Sequence, residues 1–310
     1  MPPRAAMLIE RSGRTKGVAP TQLDLFPVRR PPSVAVSFCT LASSSGGNCS
    51  ILRTGSGRNY RLTLIDCGLS PRRTRATLAT LGLDFERIDD VLLTHLDHDH
   101  CHRGWAKSLP SHARFRVLDS HRWRAKRARI GHRRCTTFVE PFELACGARV
   151  TPCVLRHDEL GVAAFRFDFE RGGSLGYATD LGQATPELAA MLGGVDVLAV
   201  ESNYCPELQA ASDRPAFVKD RITGGSGHLS NDESAALVYS VAPTRAVVLL
   251  HLSRQCNTPE VALRAHAGAP CDVIAAPADE PSAWIELTDV AELSDVASPD
   301  AVTRASRSRD

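Results

Sequence analysis

Short apolar runs alternate with polar turns along most of this chain, and a few segments have the spacing of amphipathic helices. Apolar runs of this length that end at turn residues are typical of buried β-strands. In the first half they predict strands at Val34–Leu41, Ile51–Arg53, Arg61–Ile65 and Val91–Thr94. A helix is expected between the last two strands, because Pro71 can occupy a first helical turn and the pattern continues to Leu81.

The second half of the chain repeats this pattern more loosely. Strands are expected at Val150–Leu155, Ala163–Phe169, Ser174–Thr179, Val195–Val200 and Ala246–Leu250. Helices are expected over Asn231–Val241 and after Thr258, whose side chain is suited to an N-cap ahead of Pro259. Strands that alternate with helices indicate the α/β class.

The two ends of the chain lack these patterns. Residues 1–33 are rich in Arg and Pro without a sustained period, which predicts a flexible leader. Residues 289–310 are mostly Ser, Asp, Ala and Arg without aromatic anchors, which predicts a flexible tail. We therefore expect one folded domain over residues 34–288.

Composition places this chain of 310 residues among ordinary globular proteins, with 43% hydrophobic residues, 23% charged residues and a net charge of +2. No run approaches the roughly 18 apolar residues of a membrane span, and the N-terminal region lacks the apolar segment of a secretory signal.

The ten cysteines form no CxxC pair, and several lie in apolar runs. We expect reduced thiols and a cytoplasmic location.

The most informative segment is 94–104, Thr-His-Leu-Asp-His-Asp-His-Cys-His-Arg-Gly, directly after the apolar run 91–93. Imidazoles and carboxylates at the end of a buried strand are costly unless they are paired, and a divalent metal pairs with them. Two cations about 3.5–4 Å apart can share the four ligands of one turn. These ligands are His95, Asp97, Asp99 and His100. The alternatives are a polar loop with surface histidines or a lone His-rich metal-binding tract.

Asp or His follows the end of a predicted strand at five places: Asp66, the 95–100 cluster, His157, Asp180 and His251. A single residue in such a position is more often a cap or a turn residue. Catalytic residues of layered α/β folds commonly lie at strand-to-loop transitions. Five such exits, all with metal-ligating side chains, indicate that they meet at one site.

The order of these positions resembles the five motifs of the metallo-β-lactamase superfamily, over roughly residues 34–288. Further segments are similar to motifs of its YycJ/WalJ branch, namely Leu41–Ser50 (LASSSGGNCS), Gly176–Gly182 (GYATDLG), Glu201–Asn203 (ESN), Gly227–Asn231 (GHLSN) and His251–Asn257 (HLSRQCN). The resemblance implies an α/β fold, the αβ/βα four-layer sandwich, with a dinuclear metal site at one edge of the paired sheets. It also implies phosphodiester cleavage, DNA exonuclease activity in particular, because this branch is related to the RNase Z and RNase J nucleases.

The resemblance further implies which residues hold two divalent ions, zinc or manganese. His95, Asp97 and His157 would bind metal one, Asp99, His100 and His251 would bind metal two, and Asp180 would bridge them. Asp66 would hold the ligand-bearing loops by hydrogen bonds.

The same resemblance implies a hydrolytic mechanism. A metal-bridged hydroxide, oriented by Asp99 or Asp180, would attack phosphorus in line. His228 would protonate the leaving oxygen or stabilise the transition state. The alternative role of His228 is that of a residue that precedes and caps a helix.

The chain departs from the family pattern HxHxDH, because Asp97 stands where a His is expected. Three residues rather than two also separate His100 from Gly104. A shifted alignment would make His98 a ligand, but the unshifted one keeps Asp99 and His100 in register and leaves His98 and His102 pointing away. A third carboxylate in the site favours harder ions such as Mn²⁺ over Zn²⁺.

Residues 121–134 carry seven Lys or Arg residues in fourteen. Such a segment can neutralise phosphates, and an aromatic ring within it can stack on a base. The candidate contacts to nucleic acid are Arg122, Trp123, Arg124, Lys126 and Arg127. The alternative is a solvated helix face that packs its stem on the core.

The sequence thus predicts a dinuclear metal-dependent hydrolase that acts on nucleic acid, DNA in preference, or on another phosphodiester. One alternative is a hydrolase of the same fold for a small thioester, lactone or cyclic phosphodiester. The other is a catalytically weakened protein that binds nucleic acid, for which Asp97 is the only support.

Overall fold

The computed structural model describes residues 35–130, 134–157, 159–170, 173–225 and 227–288. The described residues lie within one compact unit, Ser33–Asp310. The predicted leader and tail, residues 1–33 and 289–310, lie outside the described residues.

The described residues form fourteen strands. In chain order these are β1 (Val36–Ala42), β2 (Cys49–Ser56), β3 (Asn59–Ile65), β4 (Ile88–Leu92), β5 (Arg114–Leu118), β6 (Cys135–Phe138), β7 (Phe142–Glu143), β8 (Arg149–Leu155), β9 (Val162–Phe169), β10 (Gly173–Ala178), β11 (Val197–Glu201), β12 (Ala246–Leu250), β13 (Asp272–Ala275) and β14 (Ile285–Glu286).

Seven α-helices lie in the described part of the chain. They are α1 (Pro71–Thr80), α2 (Arg122–Arg127), α3 (Pro186–Leu192), α4 (Pro206–Ala211), α5 (Ala216–Thr223), α6 (Asn231–Val241) and α7 (Pro259–Ala265). Short 3₁₀ turns lie at Phe85–Arg87, Arg103–Lys107 and Asp119–His121. None of these helices is both long enough and apolar enough to span a bilayer.

Several helices begin with a capping hydroxyl followed by proline. Ser70, Thr185 and Thr258 each accept a hydrogen bond from a backbone N–H of the first turn of α1, α3 and α7. Proline suits the next position, because its fixed φ fits a helix and its missing N–H would have no partner there. At α6, Ser230 and Glu233 form a capping box.

The strands form two mixed sheets of seven strands each. One has the order β14-β1-β2-β3-β4-β5-β6 and the other β13-β12-β11-β10-β9-β8-β7. Strands β3 to β6 run parallel in the first sheet, and β10 to β13 run parallel in the second. The remaining neighbours are antiparallel.

Apolar side chains fill three layers between these sheets and the helices. The central layer lies between the two sheets and contains Phe38, Phe165 and Tyr177. The outer face of the first sheet packs against α1 and α2, and the outer face of the second packs against α3, α6 and α7. This arrangement confirms the expected α/β four-layer sandwich.

The predicted strands and helices are present with bounds that differ by up to three residues. Strand β2, for example, extends over Cys49–Ser56 rather than Ile51–Arg53. The prediction missed β5, β6, β7, β13 and β14 and helices α3 to α5. Strand β5 reads Arg-Phe-Arg-Val-Leu, and its polar positions interrupt the apolar run that marked the other strands.

Candidate metal centre

The predicted ligands meet because six strands end at one edge of the sandwich. Parallel strands present their carboxyl ends at the same edge of a sheet. In the second sheet, β10, β11 and β12 are parallel and lead to Asp180, Glu201 and His251. Strand β8 runs the same way, because it is two antiparallel steps from β10, and leads to His157. In the first sheet, β3 and β4 lead to Asp66 and the 95–100 cluster.

Three of the residues that follow these strands share an uncommon backbone conformation. Asp66, Asp180 and His251 have φ angles of 59°, 53° and 55°, in the left-handed region that side chains other than glycine rarely adopt. Each such residue costs on the order of 1–3 kcal/mol, and such residues concentrate at functional sites. The surrounding structure therefore holds these three residues in a backbone conformation that they would not adopt by themselves.

The first ligand group consists of His95, Asp97 and His157, whose ligand atoms all lie within 4.8 Å of one another. His95 Nε2 lies 3.9 Å from Asp97 Oδ2. His157 Nδ1 is buried and has no hydrogen-bond partner in the described part of the chain. Burial and the charge of His100 lower the pKa of His95 well below its usual range, so this imidazole is neutral at neutral pH, as a metal ligand must be.

The second ligand group consists of Asp99, His100 and His251, again with ligand atoms within 4.8 Å of one another. Asp99 Oδ2 lies 3.6 Å from His100 Nε2 and 3.8 Å from His251 Nε2. These separations are longer than hydrogen bonds, and they leave room for a cation among the three atoms.

The carboxylate of Asp180 lies beside the second group and is 2% exposed. Its Oδ2 is 2.5 Å from His100 Nε2, and its Oδ1 is 2.8 Å from His251 Nδ1. With His95 and His100 it also forms a group of potential ligands. Burial disfavours its charge, but His251 and His100 outweigh burial and hold the pKa of this carboxyl well below its usual range.

These side chains fit divalent cations. Buried polar groups normally have hydrogen-bond partners. Here Nδ1 of His157 is buried without a partner among the described residues, although the carboxylate of Asp97 belongs to the same group. Imidazole nitrogen and carboxylate oxygen together are typical ligands of zinc, manganese and iron.

Asp66 is fully buried and fixes one of the ligand rings. Its carboxylate accepts hydrogen bonds from the backbone N–H and the hydroxyl of Thr94, at 2.8–3.0 Å. It also lies 2.7 Å from His100 Nδ1. A carboxylate at Nδ1 holds the proton on that nitrogen and leaves Nε2, which faces Asp180, to act as the ligand.

Glu201 belongs to the site, and the sequence analysis gave it no chemical role. It ends the fully buried strand β11, and its Oε1 lies 2.6 Å from His228 Nδ1. Its Oε2 accepts the N–H of Leu181, next to Asp180. Burial alone would lower the pKa of His228, but the charges of Glu201 and Asp180 raise it to about 10. The feature of the sequence that could have identified Glu201 is its position as a lone carboxylate at the end of an otherwise apolar strand.

The loop between β1 and β2 also supports the ligands. Asn48 donates its backbone N–H to the carbonyl of Asp99 at 2.7 Å, and its side-chain nitrogen lies 3.0 Å from His100 Nε2. Ser43 accepts the backbone N–H of His251 at 2.8 Å. The sequence analysis drew only a family resemblance from this segment, whereas the structure shows that it holds two ligand-bearing turns.

The other histidines of the 94–104 segment lie outside the ligand groups. His98 is exposed, and His102 accepts the N–H of Gly104 through Nδ1 at the start of a 3₁₀ turn. Their rings are 5.5 Å apart.

The basic segment forms helix α2 at the rim of this site. Arg124 Nη2 lies 2.7 Å from Asp97 Oδ1, so one member of the segment contacts a predicted ligand. Trp123 is 60% exposed, and the cations of Arg122 and Lys126 lie 5.5 Å and 5.1 Å from its ring centroid. Arg127 is exposed on the same helix.

The ligand groups line an open cleft with a volume of about 330 Å³. Asp97, Asp99, His157, Asp180, His228 and His251 contribute to its surface. Another part of its surface comes from α5 and the turn before it, with Arg214, Val218, Arg221 and Ile222. The cleft thus places carboxylates and arginines around one space that a substrate can enter.

Comparison with known proteins agrees with this geometry. The profile of the beta-lactamase superfamily domain matches residues 61–252. The chain is 25% identical over 247 residues to the exodeoxyribonuclease WalJ of Streptococcus pneumoniae, covering 74% of this chain and 86% of that protein. It is 26% identical over 240 residues to the exodeoxyribonuclease YycJ of Bacillus anthracis, covering 74% and 87%.

Among solved structures, the metallo-beta-lactamase fold protein YhfI of Bacillus subtilis is similar, with a TM-score of 0.61 and 16% sequence identity. The match covers 81% of this chain and 99% of that chain.

A methyl group on Gly68 tests how tightly the ligand loop is held. A Cβ built on this residue lies 1.7 Å from the carbonyl oxygen of Asp99, so Gly68→Ala must displace the turn that carries Asp99 and His100. We expect affinity for the second cation to fall by about 10–100-fold, as when groups that orient metal ligands are lost. Isothermal titration with Mn²⁺ measures this.

Gly268→Ala is the matched control, because a Cβ there has no atom within 4 Å. Equal Mn²⁺ affinity in the two variants would show that this close approach does not position the ligands.

Proposed function

The chain belongs to the beta-lactamase superfamily. We propose that it is a metal-dependent phosphodiesterase that degrades DNA as an exonuclease. The observation that carries this proposal is the pair of ligand groups around Asp180 in a cleft that also presents arginines. The two relatives named exodeoxyribonuclease support DNA as the substrate.

In this proposal two divalent cations would be held by the groups described above. His95, Asp97 and His157 would hold one, Asp99, His100 and His251 would hold the other, and Asp180 would contribute its carboxylate beside them. Cations bound there supply a nucleophile from water at neutral pH and polarise a phosphoryl oxygen.

The protein's own side chains orient the attacking water and donate a proton to the leaving oxygen. Asp99 and Asp180 are carboxylates in the cleft wall, where each can accept a hydrogen bond from the attacking water and align it with phosphorus. His228 also lines the cleft, and its Nδ1 is engaged by Glu201. The adjacent carboxylate favours the imidazolium, which leaves a proton on Nε2 for the leaving oxygen.

The surface charge of the cleft favours a polyanion over a neutral small molecule. Arg214 and Arg221 line it, and Arg124 lies at its rim beside Asp97. A neutral thioester or lactone gains nothing from these cations, whereas each phosphate of DNA does.

The central test is metal-dependent cleavage by the wild type and by Asp180→Asn. We expect the wild type, with Mn²⁺, Zn²⁺ or Mg²⁺ added separately, to hydrolyse bis-p-nitrophenyl phosphate and to shorten end-labelled DNA from its ends. Asp180→Asn removes the shared charge, and its rate should fall by on the order of 100-fold or more.

Cleavage of a thioester or lactone panel without cleavage of DNA would contradict the proposal. So would a full rate in Asp180→Asn.

The carboxylate of Asp97 predicts a preference among metals. Carboxylate ligands suit Mn²⁺ and imidazole suits Zn²⁺. We expect Asp97→His to shift the ratio of dissociation constants for Mn²⁺ and Zn²⁺ toward zinc, measured by competition with a chelating indicator. An unchanged ratio would show that Asp97 does not bind the cation.

His228→Gln tests the proton donor. Loss of a general acid slows cleavage by about 10²–10⁴-fold when the leaving group needs a proton, as the alkoxide of DNA does. The p-nitrophenolate group leaves without one, so hydrolysis of bis-p-nitrophenyl phosphate should change far less. His112→Gln is the control, because that half-exposed residue precedes β5, at the opposite edge of the sheet. Equal losses on both substrates would exclude the proposed role.

A further inference from the structure

Arg214 is a cation in the cleft wall that forms no ion pair with any carboxylate of the described residues. It lies in the turn between α4 and α5 and lines the same space as Asp99, Asp180 and His251. Two other arginines near this space, Arg124 and Arg254, are paired with acids. Arg124 lies 2.7 Å from Asp97, and Arg254 lies 2.6 Å from Asp279.

Neutral oxygens hold the Arg214 guanidinium from several directions. Its Nε donates to Gln255 Oε1 at 2.8 Å, its Nη1 to Gln209 Oε1 at 3.2 Å and its Nη2 to Ser253 Oγ at 3.1 Å. Among the described residues it has no ion pair. A guanidinium has five N–H groups, so one on each terminal nitrogen stays available.

Two of the three residues that orient Arg214, Gln209 and Ser253, are buried. Gln209 is 2% exposed, and it turns its oxygen to Arg214 while its Nε2 is buried without a partner among the described residues. Ser253 lies two residues after His251, and its backbone N–H donates to Asn203. The guanidinium is therefore fixed relative to the ligand-bearing turn, which lowers the entropy cost of binding an anion there.

A second cation lies on the same side of the cleft. Val218 and Arg221 are three residues apart and lie on one face of α5. Both line the cleft together with Arg214, which comes from the turn before that helix. Arg221 is exposed at the cleft and has no ion pair among the described residues.

From this arrangement we propose that Arg214 forms a second anion subsite, which holds a phosphate of the substrate adjoining the one that is cleaved. The inference rests on the proposed phosphodiesterase function and adds a specificity-determining residue to it. A fixed guanidinium with free N–H groups on both terminal nitrogens suits the oxygens of a phosphate. The scissile phosphate belongs with the cations, so the phosphate at Arg214 is a neighbouring or terminal one.

The test compares substrates that have and lack this second phosphate. Bis-p-nitrophenyl phosphate and an unphosphorylated thymidine dinucleotide have only the scissile phosphate. Thymidine dinucleotides with a 5′-terminal or a 3′-terminal phosphate have one more, on different sides. KM and kcat are measured for the wild type, Arg214→Gln, Arg214→Lys and Arg149→Gln. Arg149 is an exposed arginine at the start of β8, about 20 Å along that strand from the site edge.

We expect Arg214→Gln to raise KM about tenfold or more for one of the two phosphorylated dinucleotides, and that one identifies the side on which the phosphate binds. For both substrates that lack the second phosphate, the KM of Arg214→Gln should stay within about twofold of the wild-type value. Arg214→Lys should recover part of the loss seen with the phosphorylated dinucleotide. An equal loss on all substrates would mean that Arg214 only supports the fold of the cleft. No loss on any substrate would also overturn the proposal.

A binding measurement separates this subsite from the proposed activity. Thymidine 3′,5′-bisphosphate is titrated into each protein in the presence of Ca²⁺. Weaker binding by Arg214→Gln, but not by Arg149→Gln, would support the anion subsite even if no phosphodiester were cleaved. Equal binding by all variants would overturn the subsite while leaving the phosphodiesterase proposal to its own test.

Discussion

The contact of Asp180 with His100 and His251 is the interaction on which the site depends. A carboxylate that is almost fully removed from water is costly unless cations or donors compensate it. His100 and His251, from different sheets, supply part of that compensation at 2.5 Å and 2.8 Å. The two sheets are thus joined electrostatically at the edge where their parallel strands end, and the position of Asp180 determines where cations can bind.

Around this contact the chain places groups whose role is to hold the ligands. Asp66 fixes the ring of His100, and Glu201 does the same for His228. Asn48 and Ser43 hold the backbone of two ligand-bearing turns. Ser43 accepts the N–H of His251 and Glu201 accepts the N–H of Leu181, so these contacts hold the backbone at two of the three left-handed strand ends. The local cost of that conformation is offset by hydrogen bonds from other parts of the chain.

Periodicity predicted most of the strands and the helix α6, because fully buried strands appear as continuous apolar runs bounded by turn residues. The same reasoning located Asp180 and His251, which directly follow such runs. It missed strands such as β5, whose alternate residues are arginines. It also could not identify Arg214 as part of the cleft wall, because a single arginine in a turn has no pattern. The density of basic residues in 121–134 led to the prediction of nucleic-acid contacts on α2. The arginines that line the cleft come instead from α5 and the turn before it.

The most direct test of the account is anomalous diffraction from crystals of the protein grown with Mn²⁺. The account predicts two peaks on either side of the Asp180 carboxylate. One should lie among His95, Asp97 and His157, and the other beside Asp99. A single peak, or a peak beside Glu201 and His228 alone, would contradict it.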